Sequence, residues 1–478
     1  METLIAVVKK ELKSAFRERL VVALGLIVML LLSASMYSGY VAYTQQQANI
    51  ENLQKEKRKQ WLEQHEKHPH IAAHYGTYVF KPKSILSIFD FGLDSYTGTS
   101  IYLEAHYQHE FMFRPAQLRS SMVRFGELSI AMVLKVFLPL LIIFVAFSAY
   151  TKERESGTLR LLLSQGVSLG ILSWGKIIAI SLLVGLTLIP FFVGFTVSWF
   201  LDIDNTVIPD ISTRLILLIV LYITYLFVLI VLSVWVSLQC KNGKSALLTL
   251  LVCWIAATIL LPKATANLSE SIYPLPSMRA FKAGIQTHKD NGLDGKTSKV
   301  QRYEQLKKEM LQKHDVDSIQ KLPFNFSGYS MQASEEYSDK IYDFHTKKLR
   351  NQLLDQNFIS RFTSLINPYQ ATQNLSMAIA ATDIHSTFHF EDEVNKYRRK
   401  LIKTMNDDMA YNTKYGEFYE YKVGKDLFEK VPDFRHQTQM VYQVLKQYII
   451  EIISIILWVS FSLLLLNRAH RKANSHYV

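Results

Sequence analysis

Cysteine is almost missing from this 478-residue chain: only Cys240 and Cys253 occur, both in or beside apolar runs. No disulfide can staple the polar parts, so whatever folds there does so by its own core. A phosphate loop is also missing. Asn242 to Ser245 reads NGKS, but such a loop needs a glycine five positions before its Gly-Lys-Ser, and a strand ahead of it, so that successive N–H groups can wrap the phosphates. Position 238 is Leu238, inside an apolar run, so this chain does not hydrolyse ATP by itself. No HExxH occurs, and no compact basic motif with interleaved aromatics accompanies the net charge of +12, which argues against nucleic acid as a partner.

What the chain has is long apolar runs. As a soluble protein its length would suggest about three domains at roughly 150 residues each, but the apolar residues concentrate in six stretches separated by ordinary polar sequence. A helix needs about 20 apolar residues to cross a hydrocarbon layer roughly 30 Å thick. The candidates are 20–42, 128–150, 177–200, 215–238, 246–261 and 448–466, the fifth being short. The first run has no small-x-small cleavage site after its core and reads as an uncleaved anchor. Pro139 and Pro190 are expected to kink the second and third spans.

Ahead of the first run, residues 1–19 place Leu4, Val8, Leu12 and Phe16 on one helical stripe, with Lys9, Lys13 and Arg17 elsewhere around it. That pattern predicts an interfacial helix on a membrane surface; an ordinary basic flank is the alternative. Lys and Arg cluster in this leader, in 151–176, in the 239–245 turn (Lys241, Lys244) and in the 467–478 tail (Arg468, Arg471, Lys472). The opposite short loop, 201–214, carries Asp202, Asp204 and Asp210 and no basic residue before Arg214 at its margin. The positive-inside rule therefore predicts both termini in the cytoplasm. Segments 43–127 and 262–447 then lie on the other side as a large, mostly helical extracytoplasmic domain. The expected class is a mainly α, polytopic membrane protein. Val394, Tyr397, Leu401, Met405 and Met409 recur at helical spacing in the second segment, while PSMRAF and KLPFNFSGYS read as loops.

Three groups of residues invite chemistry. His70 and His74 stand four apart, as do His385 and His389, with Glu393 a turn further on; this is a spacing that can hold zinc, although surface and capping histidines explain most such clusters. Lys135 and Glu451 lie inside the second and sixth spans, where an ionisable group faces protein or a water path, and these two could pair with each other; for Glu451, snorkelling to the headgroups is the blander reading. The third group is the charged stretch Tyr150 to Lys176.

That stretch, ERESGTLRLLLSQGVSLGILSWGKIIA, resembles the cytoplasmic segment of permease subunits of ABC-2 type (type 2 ABC exporter) transporters. The matching residues are Glu153, Glu155, Gly157, Thr158, Leu162, Leu163, Ser168, Gly175 and Lys176. The two long outer segments are similar to the outer domain of a subgroup in which that domain has no established function. The resemblance implies a coupling helix, with Glu153, Arg154, Glu155, Gly157, Thr158, Leu162 and Leu163 engaging a separate ATPase subunit. It implies ATP and magnesium on that partner and nothing bound directly by this chain. It also implies a second copy or a related permease beside it, a lipid surround, and a bacterial inner membrane. Export is the implied direction. A mechanical relay, in which ATPase action drives the outer domain without translocation, is the alternative, and a membrane metallohydrolase using the outer histidines is a third class.

Overall fold

A computed structural model describes residues 1–110, 128–201 and 209–477. Asp202, Asp204 and the end of the first long segment, 111–127, lie outside the described residues. Among the described residues, six helices are long and apolar enough to cross a membrane: Arg19–Leu62, Ile130–Glu155, Leu169–Thr187, Ile211–Gln239, Gly243–Ile272 and Val441–Lys472, here spans 1 to 6. The protein is thus a mainly α, polytopic membrane protein.

Several boundaries differ from the sequence reading, each for a physical reason. Span 1 does not stop at Ala42. Its helix runs on through polar sequence to Leu62, 44 residues in all and about 66 Å at 1.5 Å per residue, into the long-segment region. Span 3 begins at Leu169, where Ser168 caps it by accepting from Ile171 N, and it breaks at Leu188 before a second helix, Ile189–Leu201, that contains Pro190. Span 5 is not short. It is a 30-residue helix, and span 6 continues through the basic tail.

Two π-helical turns, Val133–Phe137 and Ala256–Leu260, precede Pro139 and Pro262 in spans 2 and 5. A proline lacks the N–H that would close the preceding turn, so a carbonyl is freed and must find another donor. Both do: Tyr225 OH donates to the Lys135 carbonyl at 3.2 Å, and Asn367 Nδ2 donates to the Ala257 carbonyl at 2.8 Å. Neighbouring elements thus repair each bend.

The two long segments fold together into a head at one end of the bundle. Its elements include a short antiparallel hairpin, β1 (Thr77–Phe80) with β2 (Ser100–Leu103), paired from Thr77↔Leu103 to Phe80↔Ser100. Its largest helices are Phe326–Thr363 and Ile384–Asn412. Val394, Leu401, Met405 and Met409 of the latter are buried as the spacing predicts. The far end of the span 1 helix completes this core, Trp61 packing edge-on against Phe428 and donating to its carbonyl at 3.0 Å. The stretches expected as loops are instead helix starts: Ser277 caps Met278–Asn291 and Asn325 caps Phe326–Thr363.

The head also reaches into the bundle. After Thr363 the chain turns at 364–367 and returns as helix Pro368–Ala380, which packs between spans 4 and 6. Ser454 Oγ donates to the Ser364 carbonyl at 2.5 Å and Trp458 Nε1 to that of Leu365 at 3.2 Å. Trp458 lies nine residues beyond Ile449, about 14 Å along the span 6 helix, so the hairpin enters well below the top of that span. Residues 85–89 of the first segment are likewise buried, Phe89 lying edge-on to Phe191 and Tyr222.

Candidate functional site

The end of the bundle opposite the head gathers the leader helix (Glu2–Arg17), the end of span 2, the loop that follows and the turn between spans 4 and 5. Glu153, Arg154 and Glu155 sit in the last turn of span 2, not on the loop helix Thr158–Ser164. Consecutive residues on a helix point about 100° apart, so these three turn to different elements.

Glu153 turns to the leader and to span 3. Its Oε1 lies 3.1 Å from Lys176 Nζ and also accepts from Lys10, while Lys176 reaches Glu11 at 2.7 Å and Lys10 reaches Glu11 at 2.8 Å. Two cations and two carboxylates thus balance. Lys176 is 1% exposed and would be untenable there without them. Burial alone would raise the Glu11 carboxyl, but Lys176 and Lys10 outweigh it and hold Glu11 below its ordinary value. Behind this cluster, Tyr150 OH lies 2.5 Å from Ser173 Oγ, which lies 2.7 Å from His470 Nε2, joining spans 2, 3 and 6.

Arg154 turns to span 4. Its guanidinium donates to the carbonyls of Leu238, at 2.8 Å, and of Cys240, both at the C-terminal end where unpaired carbonyls and the negative end of the helix dipole welcome a cation. Glu155 turns to span 5, accepting from Gly243 N at 2.9 Å at that helix's positive N-terminus, where Asn242 also caps Ser245 N.

Gly157 then reverses the chain with φ +76°, a conformation that favours glycine, and among the described residues none but its chain neighbours comes within 4 Å of where a Cβ would stand. Ser156 Oγ and Thr158 Oγ1 are 2.9 Å apart, and Thr158 also donates to the Glu153 carbonyl at 3.3 Å. On the loop helix Leu159 is buried, Leu162 and Leu163 are half-buried against the bundle, and Arg160 and Leu161 face outward. The sequence reading had Glu153, Arg154 and Glu155 available for a partner's salt bridges. Glu153 and Arg154 are committed within the chain, while Glu155 holds Gly243 N and stays exposed; the outward surface is Glu155 to Thr158, Arg160, Leu161 and Ser164 to Gly166. The resemblance drew attention to the motif; local spacing held no signal for its three partners.

Lys135 and Glu451 do not pair with each other. Lys135 Nζ lies 3.3 Å from Asp90 Oδ2, which accepts from Ser376 Oγ at 2.5 Å; Ser376 in turn lies 2.9 Å from Tyr222 OH. Glu451 is fully buried, so it does not snorkel; it accepts from Arg361 Nε at 2.8 Å and from Asn374 Nδ2 at 3.2 Å. Lys135 and Glu451 are therefore each answered by a residue of a long segment. Arg214, which the sequence reading left unweighed, does the same in span 4. It is fully buried, pairs with Asp210 at 2.9 Å, and donates to the carbonyls of Ile379 and Gln439 at 2.8 and 2.5 Å.

The histidines divide differently from their spacing. His70 and His74 converge with His106, and His389 joins Glu393 and His436. His385 belongs to neither group; its Nε2 is buried without a hydrogen bond among the described residues, and its ring lies edge-on to Tyr448. In the second group the nitrogens are already engaged, His436 Nδ1 with Glu393 and His389 Nε2 with the Gln437 carbonyl at 2.9 Å.

Compared with known families, residues 280–437 match one described as a domain of unknown function (DUF3526). The matched stretch begins in the helix Met278–Asn291 and ends just before span 6, so it covers much of the head and the inserted hairpin. No curated protein matches the chain.

Proposed function

We propose that this chain is the membrane-spanning subunit of an ATP-driven exporter of the ABC-2 type, with a separate ATPase subunit seated on the loop after span 2. The observation that carries the reading is the division of labour around Gly157. Beyond it the loop presents Arg160 and Leu161 to solution, and before it Glu153, Arg154 and Glu155 are fastened to the leader, span 4 and span 5. A push on the outward residues is carried into three elements at once, as a rigid unit between an ATPase dimer and the spans must do.

In this reading the termini, leader and loop face the cytoplasm of a bacterial inner membrane and the head faces outside. Magnesium and ATP sit on the partner, and a second copy or a related permease completes the path. The test is co-purification of the cognate ATPase subunit with the full chain in detergent. Leu161→Asp and Arg160→Glu should release it, whereas equal retention by both variants and the wild type overturns the reading.

A mechanical relay from ATPase to head is favoured by Lys135–Asp90 and Arg361–Glu451, which link spans 2 and 6 to the head. It predicts that the double variant Lys135→Met with Asp90→Asn keeps ATPase stimulation but loses ATP-driven movement of the head, read from spin-label distances.

A further inference from the structure

The head brings three imidazoles together from two separate places. Pro69 opens the helix Pro69–Tyr75, and His68 Nδ1 caps it by accepting from His70 N at 3.2 Å, which sets His70 and His74 one turn apart on one face. His106 follows β2, and the neighbouring Ala105 N–H donates to the Ala73 carbonyl at 3.2 Å, fastening the strand exit to the residue before His74. His106 has φ +69°, a conformation uncommon for a residue with a side chain and one that clusters where function demands it.

The ligand nitrogens all lie within 4.8 Å of one another, and His70 Nε2 and His74 Nε2 are 3.2 Å apart. Four ligands at roughly 2.0–2.1 Å around tetrahedral zinc put neighbouring nitrogens about 3.3 Å apart, so this pair already stands at the ligand spacing. The other nitrogen of His106, Nδ1, bonds the carboxylate of Glu335, a buried residue of the long head helix. A carboxylate behind a ligating histidine fixes the tautomer and raises the basicity of the nitrogen facing the metal.

We propose that His70, His74 and His106 bind one divalent transition-metal ion of the zinc class, with Glu335 as the positioning residue behind His106. Imidazole ligands suit zinc, copper and nickel over magnesium and calcium. Three protein ligands with an exposed His74 leave the fourth position to water. The bound ion would join the helix Pro69–Tyr75, the exit of β2 and, through Glu335, the helix that carries Arg361 into the bundle. Nothing in this assignment depends on an ATPase partner.

The test uses the untagged full chain in detergent, stripped with a chelator and then titrated with Zn²⁺, with Co²⁺ as a spectroscopic probe. One equivalent of zinc and a tetrahedral cobalt spectrum are expected in the wild type. Both should be lost in His70→Ala with His74→Ala, with zinc affinity about tenfold weaker in Glu335→Gln. His385→Ala and His389→Ala should bind as the wild type does. Thermal unfolding without metal separates a lost ligand from a lost fold, and where His70→Ala with His74→Ala fails to fold, His74→Gln alone is titrated in its place. Equal zinc in the wild type and the folded His70/His74 variant, or zinc lost only with His389→Ala, overturns the assignment.

Discussion

Arg361, near the end of the long head helix, meets the fully buried Glu451 of span 6 in a two-pronged ion pair, Nε to Oε1 at 2.8 Å and Nη2 to Oε2 at 3.1 Å. Removing one partner of such a pair strands the other charge, which costs about 3–5 kcal/mol, whereas replacing both by apolar groups of similar size is often neutral. Arg361→Met should therefore lower the unfolding midpoint in detergent sharply, and adding Glu451→Leu should restore most of it. If the double variant is no more stable than the single one, the pair is not what holds the hairpin in the bundle.

The leader's docking rests on one missing methyl group. A Cβ on Gly175 would stand 2.5 Å from Val7 Cγ1 and 2.9 Å from Val7 Cβ. Gly175→Ala is expected to lift the leader from span 3 and expose it to protease near Lys9 and Lys10, and Val7→Gly in the same chain, which removes both clashing atoms, should return it. Limited proteolysis of the three proteins reads this out.

Acid should loosen the same joint. A carboxyl whose folded value is lowered contributes stability that is fully present above its unfolded value and is lost as pH falls through its folded value. For Glu11 the loss thus begins below about 4.5, its ordinary value. The difference in unfolding midpoint between the wild type and Glu11→Gln should be constant from pH 7 to 5 and shrink below 4.5. A constant difference down to pH 3 would mean that Lys176 and Lys10 do not hold that proton off.

Six spans were legible because the apolar residues that cross a membrane are contiguous, and the head helix at Val394 to Met409 because its period is helical. The inserted hairpin was not. Its helix Pro368–Ala380 carries Gln370, Thr372, Asn374 and Ser376, polar residues with no burial signal of their own; Glu451 bonds Asn374, Asp90 and Tyr222 bond Ser376, and Gln370 and Thr372 find Ser360 and the Pro368 carbonyl. The partners of Lys135 and Glu451 were equally hidden, since no periodicity connects residue 135 to 90 or 451 to 361. His106 lacked any spacing relation to His70, and only the β1–β2 hairpin brings it round.

Gly157 should rank substitutions by backbone and not by size. With φ +76° and open space around it, alanine or valine pays about 1–2 kcal/mol for the left-handed conformation, valine the more, whereas asparagine tolerates it. Stimulation of a partner ATPase by the Gly157→Asn variant should stay near wild type and fall stepwise through Gly157→Ala and Gly157→Val. An order that follows side-chain volume alone, with asparagine as poor as valine, would point to a steric clash with the partner instead.

The loop after span 2 is held from behind and open in front, and that arrangement is best tested by ATP turnover of the cognate ATPase subunit reconstituted with this chain. Wild type should bind and stimulate it. Leu161→Asp at the exposed tip should abolish stimulation with the unfolding midpoint unchanged, and Glu155→Lys should preserve binding while uncoupling turnover, because it breaks the cap on span 5 behind the loop. Turnover unaffected by either change, or no ATPase held by the wild type, would contradict the coupling role and return attention to the head.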